Sequence, residues 1–272
     1  MRAFSVLMSC YKMDDPVLLK RAISSVYDSS VLPTEFVLVE DGVLTSELDK
    51  VIEEARAMYT SLKVLKLPEN LGLGIALNAG LKYCTNELVA RMDSDDLNIP
   101  SRFELQLKKF EEVPELDVVG GLIQEFDTEE GDTLRKNRLV PECHADILTY
   151  SMTRNPVNHV TVMFKKSKVL DVGSYEDFPL FEDYFLWLKM LNARANFYNI
   201  QKVLVRVRAG KGMVGRRYGL SYARKEYYFY HRAYQRGFFN VFSFLKAVFL
   251  RVPLRLLPKG LLEFLYYNLF RK

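Results

Sequence analysis

The chain has 272 residues, 49% of them hydrophobic, and a formal net charge of +4. That is enough apolar material for one large core with an appendage, and too little positive charge to imply a nucleic-acid partner. Cys10, Cys84 and Cys143 are odd in number and far apart, which argues against a disulfide framework or regularly spaced zinc ligands and fits a reducing cytoplasm.

Along the first hundred residues, short β-type runs alternate with helical periods, the pattern of an α/β fold with a largely parallel sheet. Phe4 to Met8 reads as a strand, too short an apolar stretch for a signal peptide or a spanning helix. Pro16 suits a first helical turn, with Leu19, Ala22, Ile23 and Val26 on one face. Phe36 to Val39 is the second strand. Ser46 is placed to cap the next helix, whose buried stripe is Leu48, Val51, Ile52, Ala55 and Met58. Leu62 to Leu67 forms a third strand, Gly72 to Cys84 a helix, and Leu88 onward a fourth strand that ends at Asp93. Farther on, Arg102 to Glu112 reads as a helix and Leu116 to Gly120 as a strand. Asp127 to Arg138 is a polar, mobile loop, Thr161 to Phe164 a strand and Phe181 to Ala193 a helix.

The most informative run is Arg91-Met92-Asp93-Ser94-Asp95-Asp96, three carboxylates at the end of an apolar strand. Asp and Ser also suit a turn that caps the following helix. A second strand ends in Glu40-Asp41-Gly42, however, and two neighbouring acidic strand ends concentrate negative charge where a divalent cation and nucleotide hydroxyls bind. Glu182-Asp183 heads an aromatic helix about ninety residues downstream and offers a separate general base, although acids also stabilise a first helical turn. This is the layout of a sugar-nucleotide glycosyltransferase. The run Asn70 to Gly80 lacks the glycine spacing of a dinucleotide fingerprint. On residue type alone, His159 reads as a satisfied hydrogen-bonding group and Trp187 as core.

From Phe238 to Lys272 the chain combines Phe, Leu and Tyr with six cations against one acid, Glu263. In Phe238 to Leu250 the less apolar Asn240, Ser243 and Ala247 share a narrow stripe with Arg251, and Pro253 and Pro258 then break the segment. Two readings stand: helices packed on the core, or amphipathic helices on an anionic leaflet, with the second favoured by unbalanced charge among aromatics. We expect a catalytic unit at 1–215, with its nucleotide-sugar half at 1–100 and its acceptor half at 101–215, and a membrane-associating tail at 216–272.

Ser5 to Tyr11, Val39 to Gly42, Asn70 to Gly72, Ala90 to Asp96, Asn158 to Met163 and Phe181 to Tyr184 occur in the order found in family 2 glycosyltransferases of the GT-A fold. The resemblance spans residues 1 to about 210. Within that family the chain looks most like bacterial enzymes that extend lipid-linked oligosaccharides for O-antigen, capsule or exopolysaccharide, the amylovoran-type transferases among them. The resemblance implies a Rossmann-like sheet flanked by helices and a UDP-sugar donor. It also implies Mn2+ or Mg2+, an undecaprenyl diphosphate-type saccharide acceptor and peripheral attachment to the inner face of the cell membrane.

By the same resemblance, Ser9 and Tyr11 line the nucleotide pocket, Asp41 accepts from the uracil ring, and Asp93 contacts the ribose or orders the site. Asp95 is the metal ligand, with Asp93 beside it and Asp96 in support. Asn78, Arg91 and Arg208 fall on the nucleotide side, and Asn158, His159 and Trp187 on the acceptor side. Asp183 is the general base with Glu182 next to it, and attack on a UDP-α-sugar inverts the anomeric centre. Two positions depart from the family pattern. Leu77 precedes Asn78 where many relatives have arginine, and Arg206 and Arg208 lie in a strand where many have histidine. The Gln-x-x-Arg-Trp motif of processive synthases is absent, which favours addition of a single sugar, most simply glucose. A nucleotide-sugar pyrophosphorylase would need a glycine- and lysine-rich triphosphate loop near the N-terminus, and none is present. A non-catalytic nucleotide-sugar binder is separated from a transferase by acceptor-dependent UDP release.

Overall fold

In a computed structural model the described residues are 2–127, 132–178, 180–208, 218–257 and 260. They form, in order, β1 (Phe4–Cys10), α1 (Pro16–Tyr27), β2 (Glu35–Glu40), α2 (Ser46–Met58), β3 (Leu62–Lys66), α3 (Leu73–Tyr83), β4 (Leu88–Asp93) and β5 (Leu97–Asn98). The second half contributes α4 (Arg102–Glu112), β6 (Val118–Asp127), β7 (Thr133–Arg138), α5 (His144–Tyr150), β8 (Met163–Lys165), α6 (Lys166–Asp171), α7 (Glu182–Asn192) and β9 (Phe197–Arg208). Two further helices close the described chain, α8 (Leu220–Gln235) and α9 (Val241–Arg251).

The strands make one sheet in the order β3-β2-β1-β4-β8-β6-β9-β5, with β7 beside β6. From β3 to β4 every pair is parallel, as the alternating pattern predicts. Beyond β4 the sheet is mixed, because the short β8 runs antiparallel between β4 and β6 while β9 lies parallel to β6. Alternation along β1 sends Phe4, Val6, Met8 and Cys10 to the side covered by α1, α2 and α4. Leu7 faces the opposite layer, which contains buried residues of α3 and α7.

Several boundaries differ from expectation for identifiable reasons. Thr45, not Ser46, caps α2, accepting from the Leu48 amide at 3.4 Å, and Met58 at the helix end is exposed. β6 runs through Gly120 and Gly121 instead of stopping there. A side chain at either position would collide with Asn199 or Leu204 on β9, so these glycines permit close strand packing. The polar stretch expected as a mobile loop contains β7, paired with β6, and its residues 128–131 lie outside the described set. Thr161 falls in a 3-10 turn, His159–Thr161, so β8 begins two residues later.

The C-terminal segment divides by face. Phe229, Tyr230 and Ala233 of α8, Phe239, and Ala247 of α9 join Phe181, Tyr184, Phe185 and Leu188 in one buried cluster. The segment is therefore partly core, as one of the two readings anticipated. Residues 261–272, with Glu263, Arg271 and Lys272, and the expected boundary at 215/216 lie outside the described residues. Among the described residues no helix is long and apolar enough to cross a membrane.

Candidate active site

The carboxyl ends of β1, β2 and β4 bring the acidic motifs to one edge. The register aligns Ser9 with Asp93 on one side and Val39 on the other, and Cys10 with Glu40. The two acidic strands are therefore not neighbours: β1 lies between them. That leaves Ser9, partly exposed, and Tyr11, 42% exposed, at the centre of this edge.

Asp41 organises the near side. Its Oδ1 accepts from the Leu71 amide at 2.8 Å and its Oδ2 from the Gly72 amide at 3.0 Å, while Asn70 Nδ2 donates to the Asp41 carbonyl at 3.2 Å. Gly42 has φ +87°, and a Cβ there would lie 2.6 Å from the Asn70 nitrogen, so only glycine lets these loops touch. Asp41 thereby holds the entry to α3. Asn78, on that helix, donates to the Tyr175 carbonyl at 2.7 Å and accepts from the Tyr175 amide at 3.0 Å. Both polar ends of its side chain are thus committed within the protein, and it fixes Tyr175.

After β4, Asp93 pairs with the buried Arg91. Asp95 Oδ2 accepts from Arg208 Nε at 3.0 Å and Nη2 at 2.9 Å, and Asp96 Oδ1 accepts from the Arg208 amide at 3.0 Å. The departure at the end of β9 thus puts a cation directly on the expected metal ligand. Burial and the neighbouring Asp93 raise the proton affinity of Asp95 and, more strongly, of Asp96. Asp14 joins them, accepting from Ser94 Oγ at 2.8 Å, and burial pushes its carboxyl up to about 6. Residue-by-residue reading missed Asp14. The pair Asp14-Asp15 does follow the first strand, but Asp15 has the conventional role there, capping α1 through the Val17 and Leu18 amides.

The second acidic centre is the start of α7. Asp183 Oδ2 accepts from Asn155 Nδ2 at 2.6 Å and its Oδ1 from the Tyr184 amide at 2.7 Å. Burial raises its proton affinity, partly opposed by these two bonds. Burial, then the adjacent Asp183, pushes Glu182 up to about 7, and its Oε2 has no hydrogen-bond partner among the described residues. Arg91 links the two centres. It pairs with Asp93, its field reaches Glu182 and Asp183, and its Nε and Nη1 are buried without hydrogen-bond partners among the described residues.

The residues expected toward the acceptor sit deeper. Trp187 is fully buried and meets His159 edge to face, so no sugar ring reaches it in this structure. Asn158 is buried and donates to the Gly121 carbonyl at 2.8 Å. His159 Nε2 hydrogen-bonds the Tyr175 hydroxyl at 2.9 Å, and burial together with Arg91 keeps the ring neutral. These three support the floor beneath Tyr175 and α7. Asn155 and Tyr175, which do contact the acidic centre or its support, carried no motif signal beyond their neighbourhood.

The glycosyl transferase family 2 profile matches residues 5–177. The chain belongs to glycosyltransferase family 2. It is 38% identical over 271 residues to an Escherichia coli UDP-Gal:alpha-D-GlcNAc-diphosphoundecaprenol beta-1,3-galactosyltransferase, covering 99% of this chain and 97% of the relative. It is also 38% identical over 267 residues to the amylovoran biosynthesis glycosyltransferase AmsE of Erwinia amylovora, covering 97% of each. Among solved structures, the mannosyltransferase PcManGT of Pyrobaculum calidifontis, in complex with GDP-Man and Mn2+, superposes with TM-score 0.68 at 15% identity, over 99% of this chain and 76% of that one. The fold is that of GT-A glycosyltransferases, and the family's known relatives include enzymes of bacterial polysaccharide synthesis.

Proposed function

We propose that this chain is an inverting transferase that moves one hexose from a UDP-sugar to a lipid diphosphate-linked saccharide at the inner membrane surface. The observation that carries the proposal is Asp183, a half-buried carboxylate of raised proton affinity, oriented by Asn155 and the Tyr184 amide and coupled through Arg91 to the acidic edge of the sheet. A base must be held in one orientation and gains from a proton affinity above that of a free carboxylate, and the two hydrogen bonds and the burial of Asp183 supply these two conditions. The galactosyltransferase relative supports galactose as a donor sugar to be tested beside glucose.

In this reading Asp183 takes the proton of the acceptor hydroxyl as its oxygen bonds the anomeric carbon and the bond to UDP breaks with its electrons leaving on the diphosphate. Asp41 keeps the loop 70–72 and the start of α3 in place beside the base pocket bounded by Ser9 and Tyr11. Arg91 balances the charge of Asp93 and limits the repulsion between that carboxylate and the pair at α7. The donor set suits a divalent ion: Asp93 ends β4 and Asp95 lies two residues beyond it, each now met by an arginine, and small hard cations are commonly held by one or two carboxylates with substrate phosphates completing the shell. When bound, Mn2+ or Mg2+ would be held by Asp95 with Asp93 and would neutralise charge on the leaving diphosphate. Arg208, now on Asp95, supplies a fixed positive charge at the same place.

The test is Asp183→Asn in the purified chain, assayed for acceptor-dependent UDP release and for UDP affinity. Loss of transfer with UDP affinity retained supports the base role, and near-normal turnover in the folded variant removes it.

A further inference from the structure

α9 is apolar on its outward side as well as where it packs on α8. At about 100° per residue, Val241, Leu245, Phe249, Phe242, Lys246 and Leu250 fall on one half of its circumference, and all six are exposed. Phe242 is 78% exposed and Phe249 72%. The opposite half carries the stripe legible in the sequence, Ser243, Ala247 and Arg251, together with Phe244 and Val248, which pack against the buried cluster and α8, and it faces inward. Ala247 is buried, and Arg251 reaches Glu226 of α8 at 3.6 Å. In the following 3-10 turn, Pro253–Leu256, Arg255 points in and binds Glu226 at 2.7 Å, while Leu256 is 56% exposed. An exposed aromatic and aliphatic face of this extent marks an interaction surface.

Charge identifies the partner. Between 218 and 257 the sequence holds one acid, Glu226, which is buried and engaged by Arg255 and Arg251. Every exposed charge of this segment is therefore positive, Arg224, Lys225, Arg236 and Lys246, with Arg236 answered by Glu176 at 3.5 Å. Lys246 sits within the apolar arc itself, where its long stem can lie along hydrocarbon while the ammonium reaches a headgroup. A protein partner would have to bring its own carboxylate into an apolar patch to meet that cation, whereas a leaflet rich in anionic phospholipid satisfies both the aromatics and the charge.

We infer that the outward face of α9, with Leu256, is a monotopic membrane anchor that inserts Phe242, Leu245, Phe249 and Leu250 among the lipids of an anionic leaflet. The inference deepens the proposed action on a lipid-linked acceptor, but it rests on the surface of α9 and can fail independently of it. The two halves of the C-terminal segment then have different tasks: Phe229, Phe239, Ala247 and Arg255 hold it to α7 and α8, and the opposite side holds the bilayer. Deleting the segment would expose the buried cluster and confuse the two, so exposed point substitutions are the proper perturbation.

The experiment compares the full chain with F242E/F249E and with the milder F242S/F249S in co-sedimentation with phosphatidylglycerol/phosphatidylethanolamine vesicles and with phosphatidylcholine vesicles. Met58→Glu, at an exposed apolar position on α2, is the control for added charge. The expected result is wild-type binding to anionic vesicles that weakens in high salt, at least tenfold weaker binding by F242E/F249E, weaker binding by F242S/F249S, and binding retained by Met58→Glu. Transfer to a short water-soluble acceptor should persist in both double variants. The inference is overturned if wild-type ignores the vesicles, if the double variants bind as wild-type does, or if Met58→Glu loses binding equally. It is also overturned if light scattering shows a dimer that the double substitutions dissociate while vesicles capture neither form, because a second copy would then cover the face.

Discussion

Replacing Glu182 with Gln should stabilise the protein at alkaline pH while impairing its chemistry. Burial and the neighbouring Asp183 push Glu182 from the usual 4.5 up to about 7. Below about pH 4.5 the side chain is protonated in both folded and unfolded chains, so no penalty exists. Between 4.5 and 7 the unfolded chain releases its proton first and stability falls as pH rises. Above 7 the penalty is complete. At about 1.4 kcal/mol per pH unit the upper bound is near 3 kcal/mol, and partial solvation of the carboxylate reduces this to about 1–2 kcal/mol. For a chain of this length that corresponds to a rise in Tm of roughly 2–8 °C. Scanning calorimetry of wild type and Glu182→Gln at pH 8 and pH 4.5 should show the gain at the higher pH and little difference at the lower. A variant less stable than wild type at pH 8, or a gain of the same size at both pH values, would refute the electrostatic argument.

Asp183→Asn should lower turnover by about 100-fold or more with UDP affinity nearly unchanged, as measured by acceptor-dependent UDP release and by titration calorimetry. Asn155→Ala, which removes the 2.6 Å bond to Asp183, should lower kcat more than it raises KM and move the acid limb of the rate profile to higher pH, because that bond favours the ionised base. Glu182→Gln should leave that limb little moved, because burial, the Asn155 and Tyr184 bonds and the arginine charges set the proton affinity of Asp183 while Glu182, pushed up to about 7, is largely protonated on the acid side; a limb unmoved in Asn155→Ala would show that Asp183 does not set it. Asp95→Ala should cripple transfer and weaken UDP binding mainly in the presence of Mn2+ or Mg2+, whereas full wild-type activity in excess EDTA would end the metal role. Arg208→Ala, tested beside it, should strengthen Mn2+ binding if the Arg208 side chain and the ion share Asp95.

The parallel half of the fold was legible because each strand there is a short apolar run bounded by a helix of clear 3.6-residue period, from Phe4 to Asp93. The second half was harder for physical reasons that can be named. Gly120 and Gly121 look like a strand end but mark close packing of β6 on β9, and the polar Thr133–Arg138 is a strand whose pairing depends on β6 rather than on its own pattern. At the site, carboxylates at the ends of β2 and β4 announced themselves through desolvation cost, which made Asp41, Asp93 and Asp95 candidates, whereas Asp183 became one as an acid in the first turn of α7. Asp14 was hidden by the capping role of its neighbour Asp15. The tasks of Asn78, Asn155 and Tyr175 depend on contacts across 97 or 28 positions of chain, which no local spacing encodes. The stripe Ser243, Ala247 and Arg251 was visible, but only packing on α8 shows that it is the inner face.

The decisive measurement offers the purified chain UDP-glucose, UDP-galactose and other UDP-sugars together with short lipid diphosphate-linked GlcNAc and GalNAc acceptors, and follows both UDP release and product mass. We expect one donor and acceptor pair to yield a product heavier by a single hexose, with UDP released only when the acceptor is present and with this signal lost in Asp183→Asn. UDP release that is indifferent to the acceptor, or no hexose transfer from any UDP-sugar by a folded protein that still binds UDP, would contradict the proposed reaction.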